Sequence, residues 1–235
     1  MKTKKLLLLL CVALLTTVQM YGQVHNGHKY VDLGLSVKWA TCNVGASSPT
    51  DYGDYFAWGE TKGYNSGKRE FDAKHCKYIT LIGPFQGYIK CTKYSRGERC
   101  KYGSNANDGK RTLDKQDDAA SVNWGGKWRM PTEKEFWELL DNCSWIYYDS
   151  GNSEFHGVAG FKVQSKKKGY ENNYIFLPAA GYRDGKEFHE NFLYYWLSSL
   201  CVDDSAKAEI LDGNVWSKRG VKRRWLGMSV RPVIE

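Results

Sequence analysis

The sequence predicts an α+β fold. Three observations point to the α+β class. Helical signals fall in the first half of the chain and strand signals cluster in the second, a segregation that argues against alternating βαβ units. Gly (24 residues) greatly outnumbers Pro (5), and turn residues recur at short intervals. Nine Trp and sixteen Tyr in 235 residues suit a loop-rich, ring-lined β structure better than a helical bundle. With 42% hydrophobic residues the chain has the apolar surface that a disordered protein lacks.

The first element is an address. Lys2, Lys4 and Lys5 precede an apolar run over 6–18, and the small residue Gly22 follows. These are the parts of a secretory signal peptide, with cleavage expected after Gly22. Thr16, Thr17 and Gln19 break the run short of the roughly 20 apolar residues that a membrane span needs. Cys11 follows Leu10, where lipoprotein processing wants a small residue, so it is read as part of the leader. Removing 1–22 lowers the net charge from +8 to +5. Lys218, Arg219, Lys222, Arg223 and Arg224 carry much of the excess. They read as a solvated loop, since no groove-entering motif accompanies them and no nucleic-acid partner is expected. A contribution to binding anionic glycans or a cell surface is the functional alternative. Six Cys remain (42, 76, 91, 100, 143 and 201), an even number that makes disulfides plausible in an exported chain. They contain no CxxC pair, which argues against structural zinc.

Residues 23–28 are expected to be a flexible lead-in, and 29–235 a single domain. Over 30–39 (YVDLGLSVKW) Val31, Leu33, Leu35, Val37 and Trp39 alternate as on a half-buried strand. The stretch 43–70 is rich in turns, with Tyr52, Tyr55, Phe56 and Trp58 expected to pin it to the body. Residues 71–112 are polar and basic and read as a long ordered loop region. A short helix is expected over 114–122, with Asp114, Asp117 and Asp118 near its positive end. The clearest helix starts at Thr132: Thr132 and Glu135 fit a capping box behind Pro131, and Phe136, Leu139, Leu140 and Cys143 form one stripe. Strands follow over 158–163, 174–178, 192–198, 206–211 and 228–233.

Six segments carry a resemblance: VDLGLSVKWATCNVGA (31–46), YGDYFAWGE (52–60), DDAASVNWGGKWRMPTEKEFWELLDNC (117–143), LPAAGYRDG (177–185), YYWLSS (194–199) and GMSVRPV (227–233). In order and over nearly the whole mature chain, they resemble the Fibrobacter succinogenes major paralogous domain, abundant in Bacteroidetes-type envelopes. The resemblance implies a C-type-lectin-like fold related to formylglycine-generating enzymes: two helices with short twisted antiparallel sheets and long loops, and the termini brought together. It implies a secreted or outer-membrane-associated protein and assigns the family no settled chemistry. The closing string is also similar to the ends of variable proteins from diversity-generating retroelements, whose preceding surface binds ligand. By position the matching segment here is 194–225.

Catalytic readings fare poorly. The related enzymes bind copper through two nearby Cys in the C-terminal half, where Cys201 stands alone and Cys143 is the other candidate. Ser198 and Ser199 have no G-x-S-x-G elbow. Glu187, His189 and Glu190 lack H-E-x-x-H spacing and read as a polar turn. Asn105, Asn107, Asp108 and Asp114 fail the calcium-loop spacing. Gln-Val-His25 at the mature start has Cu(II)-binding chemistry, against a plain mobile tail.

A binding surface is the reading that stands. The expected ligand-binding residues are Tyr194, Tyr195, Asp203, Trp216, Lys218, Arg219, Arg223 and Trp225. Rings stack on sugar faces or anchor protein partners while charged groups fix orientation. Trp39, Trp128 and Trp196 are read as core. The expectation is a secreted or cell-envelope, non-enzymatic recognition domain binding a glycan or surface protein, without cofactor, metal or mature transmembrane segment. The alternatives are a formylglycine-generating-type copper oxidoreductase and a structural surface or pilus-like component.

Overall fold

The apolar alternation over 30–39 predicts one strand, yet the chain turns in its middle. The Asp32 carboxylate accepts from Gly34 N at 2.8 Å, and Gly34 has φ +71°. A Cβ there would meet the Tyr170 ring at 2.6 Å, so glycine serves both the turn and the close approach. Two short strands result, β2 (His28–Val31) and β3 (Lys38–Ala40), paired antiparallel with Val31 opposite Trp39. Val31, Leu33, Val37 and Trp39 still share one core cluster.

The computed structural model describes residues 23–65, 69–83, 88–100, 103–213 and 220–235, with backbone alone at 99, 100, 103 and 104. The expected leader, 1–22, lies outside the described residues, as do Trp216, Lys218 and Arg219. Residues 23–28 are not a loose lead-in. β1 (Gln23–His25) pairs with β2 through a two-residue turn, Asn26 and Gly27, both at positive φ. Asn-Gly is the pair that such a tight hairpin favours. β16 (Val233–Ile234) joins the other side of β3, giving the sheet order β1-β2-β3-β16. The first and last strands of the domain are thus the two edges of one sheet.

The 71–112 region contains two small hairpins: β4 (Ile79–Ile82) with β5 (Tyr88–Cys91), and β6 (Arg99–Cys100) with β7 (Gly103–Ser104). Its anchor is Asp117, 1% exposed in a 3-10 turn over Lys115–Asp117. The carboxylate accepts from Lys77 Nζ (2.8 Å), Tyr78 OH (2.6 Å), Lys93 Nζ (2.5 Å) and Tyr94 OH (2.6 Å). Burial alone would raise its pKa, but these four donors outweigh burial and hold it well below the usual carboxylate range.

α1 (Ala119–Trp124) begins at Asp118, which caps Ser121 N at 2.8 Å. α2 (Glu133–Asn142) carries the expected capping box: Thr132 Oγ1 accepts from Glu135 N, and Glu135 accepts from Thr132 N. Phe136 and Leu139 are buried. Cys143, expected on the helical stripe, instead opens a strand that follows the helix directly, β8 (Cys143–Tyr148). β9 (Gly160–Ser165) lies between β8 and β10 (Tyr174–Pro178). β11 (Tyr182–Asp184) and β12 (Glu187–His189) form a hairpin. β13 (Tyr194–Leu200), β14 (Lys207–Asp212) and β15 (Gly220–Arg223) make the last sheet.

The expected strand over 228–233 is mostly irregular. Met228 and Ser229 make single bridges, to Phe56 and Tyr195, and only Val233 enters a ladder. Pro232 has no N–H to give. The segment is buried all the same: Arg231, 0% exposed, donates from Nε to Asn43 Oδ1 (2.8 Å) and from Nη1 to the carbonyls of Ala40 and Thr41.

The molecule is therefore mixed α+β, with two α-helices and small antiparallel sheets among the described residues. Two indoles cross-link loop to sheet: Trp58 Nε1 donates to Leu197 O (2.8 Å), and Trp196 Nε1 donates to Phe56 O (2.7 Å). Trp39, Trp128 and Trp196 are core residues, as expected. Cys42, Cys76, Cys91, Cys143 and Cys201 are free thiols, so no disulfide joins any two of these five. No helix among the described residues is long and apolar enough to cross a membrane.

Candidate functional site

The site is assembled on the β11–β12 hairpin and the sheet beside it. Gly181 starts the hairpin at φ +66°, and its N donates to Phe192 O at 2.8 Å. A Cβ on Gly181 would lie 2.1 Å from His189 O, which no side chain tolerates. Asp184 and Glu187 close the other end around Gly185, at φ +57°. Arg183 and Gly227 exchange backbone hydrogen bonds of 2.8 and 2.9 Å, fixing the hairpin to the C-terminal segment.

This frame sets Tyr182 opposite His189, and their rings stack at 4.5 Å and 10°. Tyr182 touches Phe192 (5.5 Å) and Tyr194 (5.7 Å), and Phe192 stacks on Tyr194 at 5.1 Å. Lys222 Nζ lies 4.5 Å from the Tyr194 ring centre and 5.8 Å from that of Tyr182. The result is a continuous platform of four rings with one cation over it. Phe192 is 41% exposed, and the other three rings are half-buried. Burial and the facing Asp212 raise the Tyr194 phenol, which stays neutral at ordinary pH. Nothing on the platform is arranged as a nucleophile with its base. Flat rings with polar edges can stack and orient a ligand, and that is the chemistry available.

Of the eight expected residues, Tyr194 belongs to the platform. Tyr195 does not: neighbours on a strand face opposite ways, so it points into the core, 1% exposed, and its OH donates to Pro178 O at 2.7 Å. Burial pushes its phenol up to about 12. Trp225 is also buried, in the core cluster that holds Trp58 and Trp196. Arg223 is exposed, with its guanidinium over the Trp225 ring at 5.1 Å, on the opposite side of β15 from Lys222. Asp203 is exposed in the turn beyond the far end of β13 and does not join Tyr194. Trp216, Lys218 and Arg219 lie outside the described residues. The basic cluster is not one solvated loop either. Arg224 is 0% exposed and donates from Nη1 to Lys93 O (3.0 Å) and Ser205 O (3.0 Å), with its guanidinium over the Trp58 ring.

Tyr182, His189, Phe192 and Lys222 were missed as site residues. The sequence signal for the three rings is the density of rings between 182 and 194, and for Lys222 its place in the basic cluster; pairing across the hairpin is what brings Tyr182 to His189.

The remaining chemical candidates have structural duties. Asp108 accepts from Tyr94 N, Ser95 N and Lys110 N, Asn105 Oδ1 accepts from Cys91 N, and Asp114 is bridged by Lys93 and Lys110. Ser198 Oγ donates to Pro131 O, and Ser199 Oγ caps Glu133 N. Cys143 and Cys201 are both buried, and burial pushes the Cys143 thiol up to about 11. His25 Nε2 accepts from Lys127 N at 3.2 Å. Glu70, Asp72 and His75 bring ligand atoms within 4.8 Å of one another, but Lys186 holds Glu70 at 2.7 Å and Asp72 holds His75 Nδ1 at 2.8 Å. Comparison of the chain with family models, with curated proteins and with solved structures finds no match.

Proposed function

We propose that this is a secreted or cell-envelope recognition domain of C-type-lectin-like fold that binds a glycan through the ring platform, without catalysing a reaction on it. The observation that carries the reading is the platform itself: four contiguous, part-exposed rings from separate elements, with Lys222 above them. Sugar rings present C–H faces to such surfaces and hydroxyls to the cation and edges around them. The hairpin glycines and the Arg183–Gly227 bonds hold the rings in place before any ligand arrives, which limits the ordering cost of binding. The two helices, the small antiparallel sheets and the adjacency of β3 to β16 support the fold assignment.

The test is a glycan array with purified protein, repeated with Phe192→Ala and Lys222→Ala. Phe192 is the most exposed ring, so its removal leaves the core intact. Loss of an anchoring aromatic costs more than about 1 kcal/mol, so a fall in affinity of about tenfold is expected for Phe192→Ala. Array profiles that both variants leave unchanged refute the site.

A further inference from the structure

A second region of the molecule has the form of a ligand site: the cleft between the β1–β2 hairpin, the 41–50 loop, the 154–156 turn and β10. Its volume is about 870 Å³, within the range of small-molecule sites. Two stacked pairs line it. The His28 imidazole lies on Trp124 at 3.7 Å and 3°, and Phe155 lies on Phe176 at 3.9 Å and 11°. Val31 and Ile175, both buried, complete an apolar interior.

The mouth is polar and preformed. Asp51 accepts from Ser47 N, Ser47 Oγ and Ser48 N, which fixes the 47–51 turn and leaves the Ser48 and Thr50 hydroxyls, 3.1 Å apart, at the rim. Asp51 is not among the lining residues, and among those the charge is one-sided. Lys29 is exposed and forms no ion pair among the described residues. His156 is exposed and stands on a left-handed backbone, φ +54°. Glu154 is the one carboxylate among the lining residues, and Lys162 Nζ already holds it at 2.8 Å. An apolar slot with an uncompensated ammonium at its mouth is complementary to a flat apolar group bearing an anion.

We propose that this cleft binds a small organic carboxylate with a flat apolar body, such as an arylacetate. The body occupies the slot between the stacked pairs, and Lys29 takes the carboxylate. The site is separate from the ring platform, and its ligand chemistry is independent of the glycan reading. Cys42 gives it a local reporter, because it lines the cleft and is only half-buried while Cys76, Cys91, Cys143 and Cys201 are buried.

The test titrates the protein with phenylacetate, phenylacetamide and glucuronate by calorimetry, and follows alkylation of Cys42 by peptide mass mapping. Saturable binding of phenylacetate is expected, with phenylacetamide at least about tenfold weaker, glucuronate without effect, and Cys42 protected by the bound acid. Lys29→Gln, an exposed substitution that leaves the fold untouched, is expected to weaken phenylacetate about tenfold while leaving phenylacetamide unchanged. The proposal is overturned by equal binding of acid and amide, by binding that Lys29→Gln leaves intact, or by no saturable binding at millimolar phenylacetate. Tighter binding of glucuronate also overturns it, by assigning the cleft to an acidic sugar.

Discussion

Removing the Asp117 carboxylate tests how the long 71–112 region is held. The four groups it accepts from differ in what they lose. The Lys77 side chain is 47% exposed and returns to water at little cost, whereas the Lys93 side chain is 20% exposed but keeps Asp114 at 2.7 Å. Tyr94 is 0% exposed, and its hydroxyl would be left without an acceptor. A buried hydroxyl left without an acceptor costs about 1–3 kcal/mol, and the loss of two partly exposed lysine partners adds about 1 kcal/mol. Asp117→Ala should therefore lose about 3 kcal/mol, on the order of 10 °C in Tm for a chain of this size. Asp117→Asn should lose less, about 2 kcal/mol. Its remaining oxygen can keep the buried Tyr94–Lys93 side and turn the amide toward the more exposed Lys77 and Tyr78. Urea unfolding followed by Trp fluorescence measures both. The pH dependence has a fixed sign. A carboxyl held below its unfolded value, about 3.9, stabilises the fold fully above that pH and less as pH falls through the folded value. The gap between the native protein and Asp117→Asn should thus be widest near neutrality and narrow below about pH 4. If Asp117→Ala unfolds within about 0.5 kcal/mol of the native protein, the carboxylate is not the anchor.

Gly181→Ala combines a left-handed backbone with a Cβ 2.1 Å from a carbonyl oxygen. It should cost at least about 2 kcal/mol and weaken glycan binding together with stability, whereas Gly185→Ala, with open space around its Cβ, should cost about 1 kcal/mol from backbone strain alone. Arg231→Met removes the donors to Asn43, Ala40 and Thr41 from a fully buried site. Thermal unfolding should show a loss of about 3 kcal/mol, and an unchanged Tm would mean that those acceptors find other partners.

What could be read from the sequence was local. The Thr132–Glu135 box announces α2 because both partners lie within one turn. β10 matches its expected span because apolar residues fill 175–177 between turn residues. The pairing of tail with head followed from the resemblance, and β16 does lie on β3. The 30–39 segment misled because alternation reports which side chains are buried, not whether the backbone continues straight; Asp32 and Gly34 bend it without altering that pattern. β8 escaped notice because no turn residue separates it from α2. The site suffered most. Tyr194 and Tyr195 look alike in a sequence, and only the strand's alternation makes one a surface ring and the other core. A cluster of Arg and Lys reads as solvated surface unless distant carbonyls wait for it, as Lys93 and Ser205 do for Arg224.

The paired indoles, Trp58 on Leu197 and Trp196 on Phe56, show where change can be absorbed. They rivet the chain at 56–58 to β13, and the Asp117 node fastens 77–94 to the turn before α1. The stretches between these fastenings can vary at their exposed residues while the frame keeps its shape, as long as buried Phe71 keeps its bonds to Gly185. A scaffold fastened in this way can change its outer surface with no need to learn to fold again.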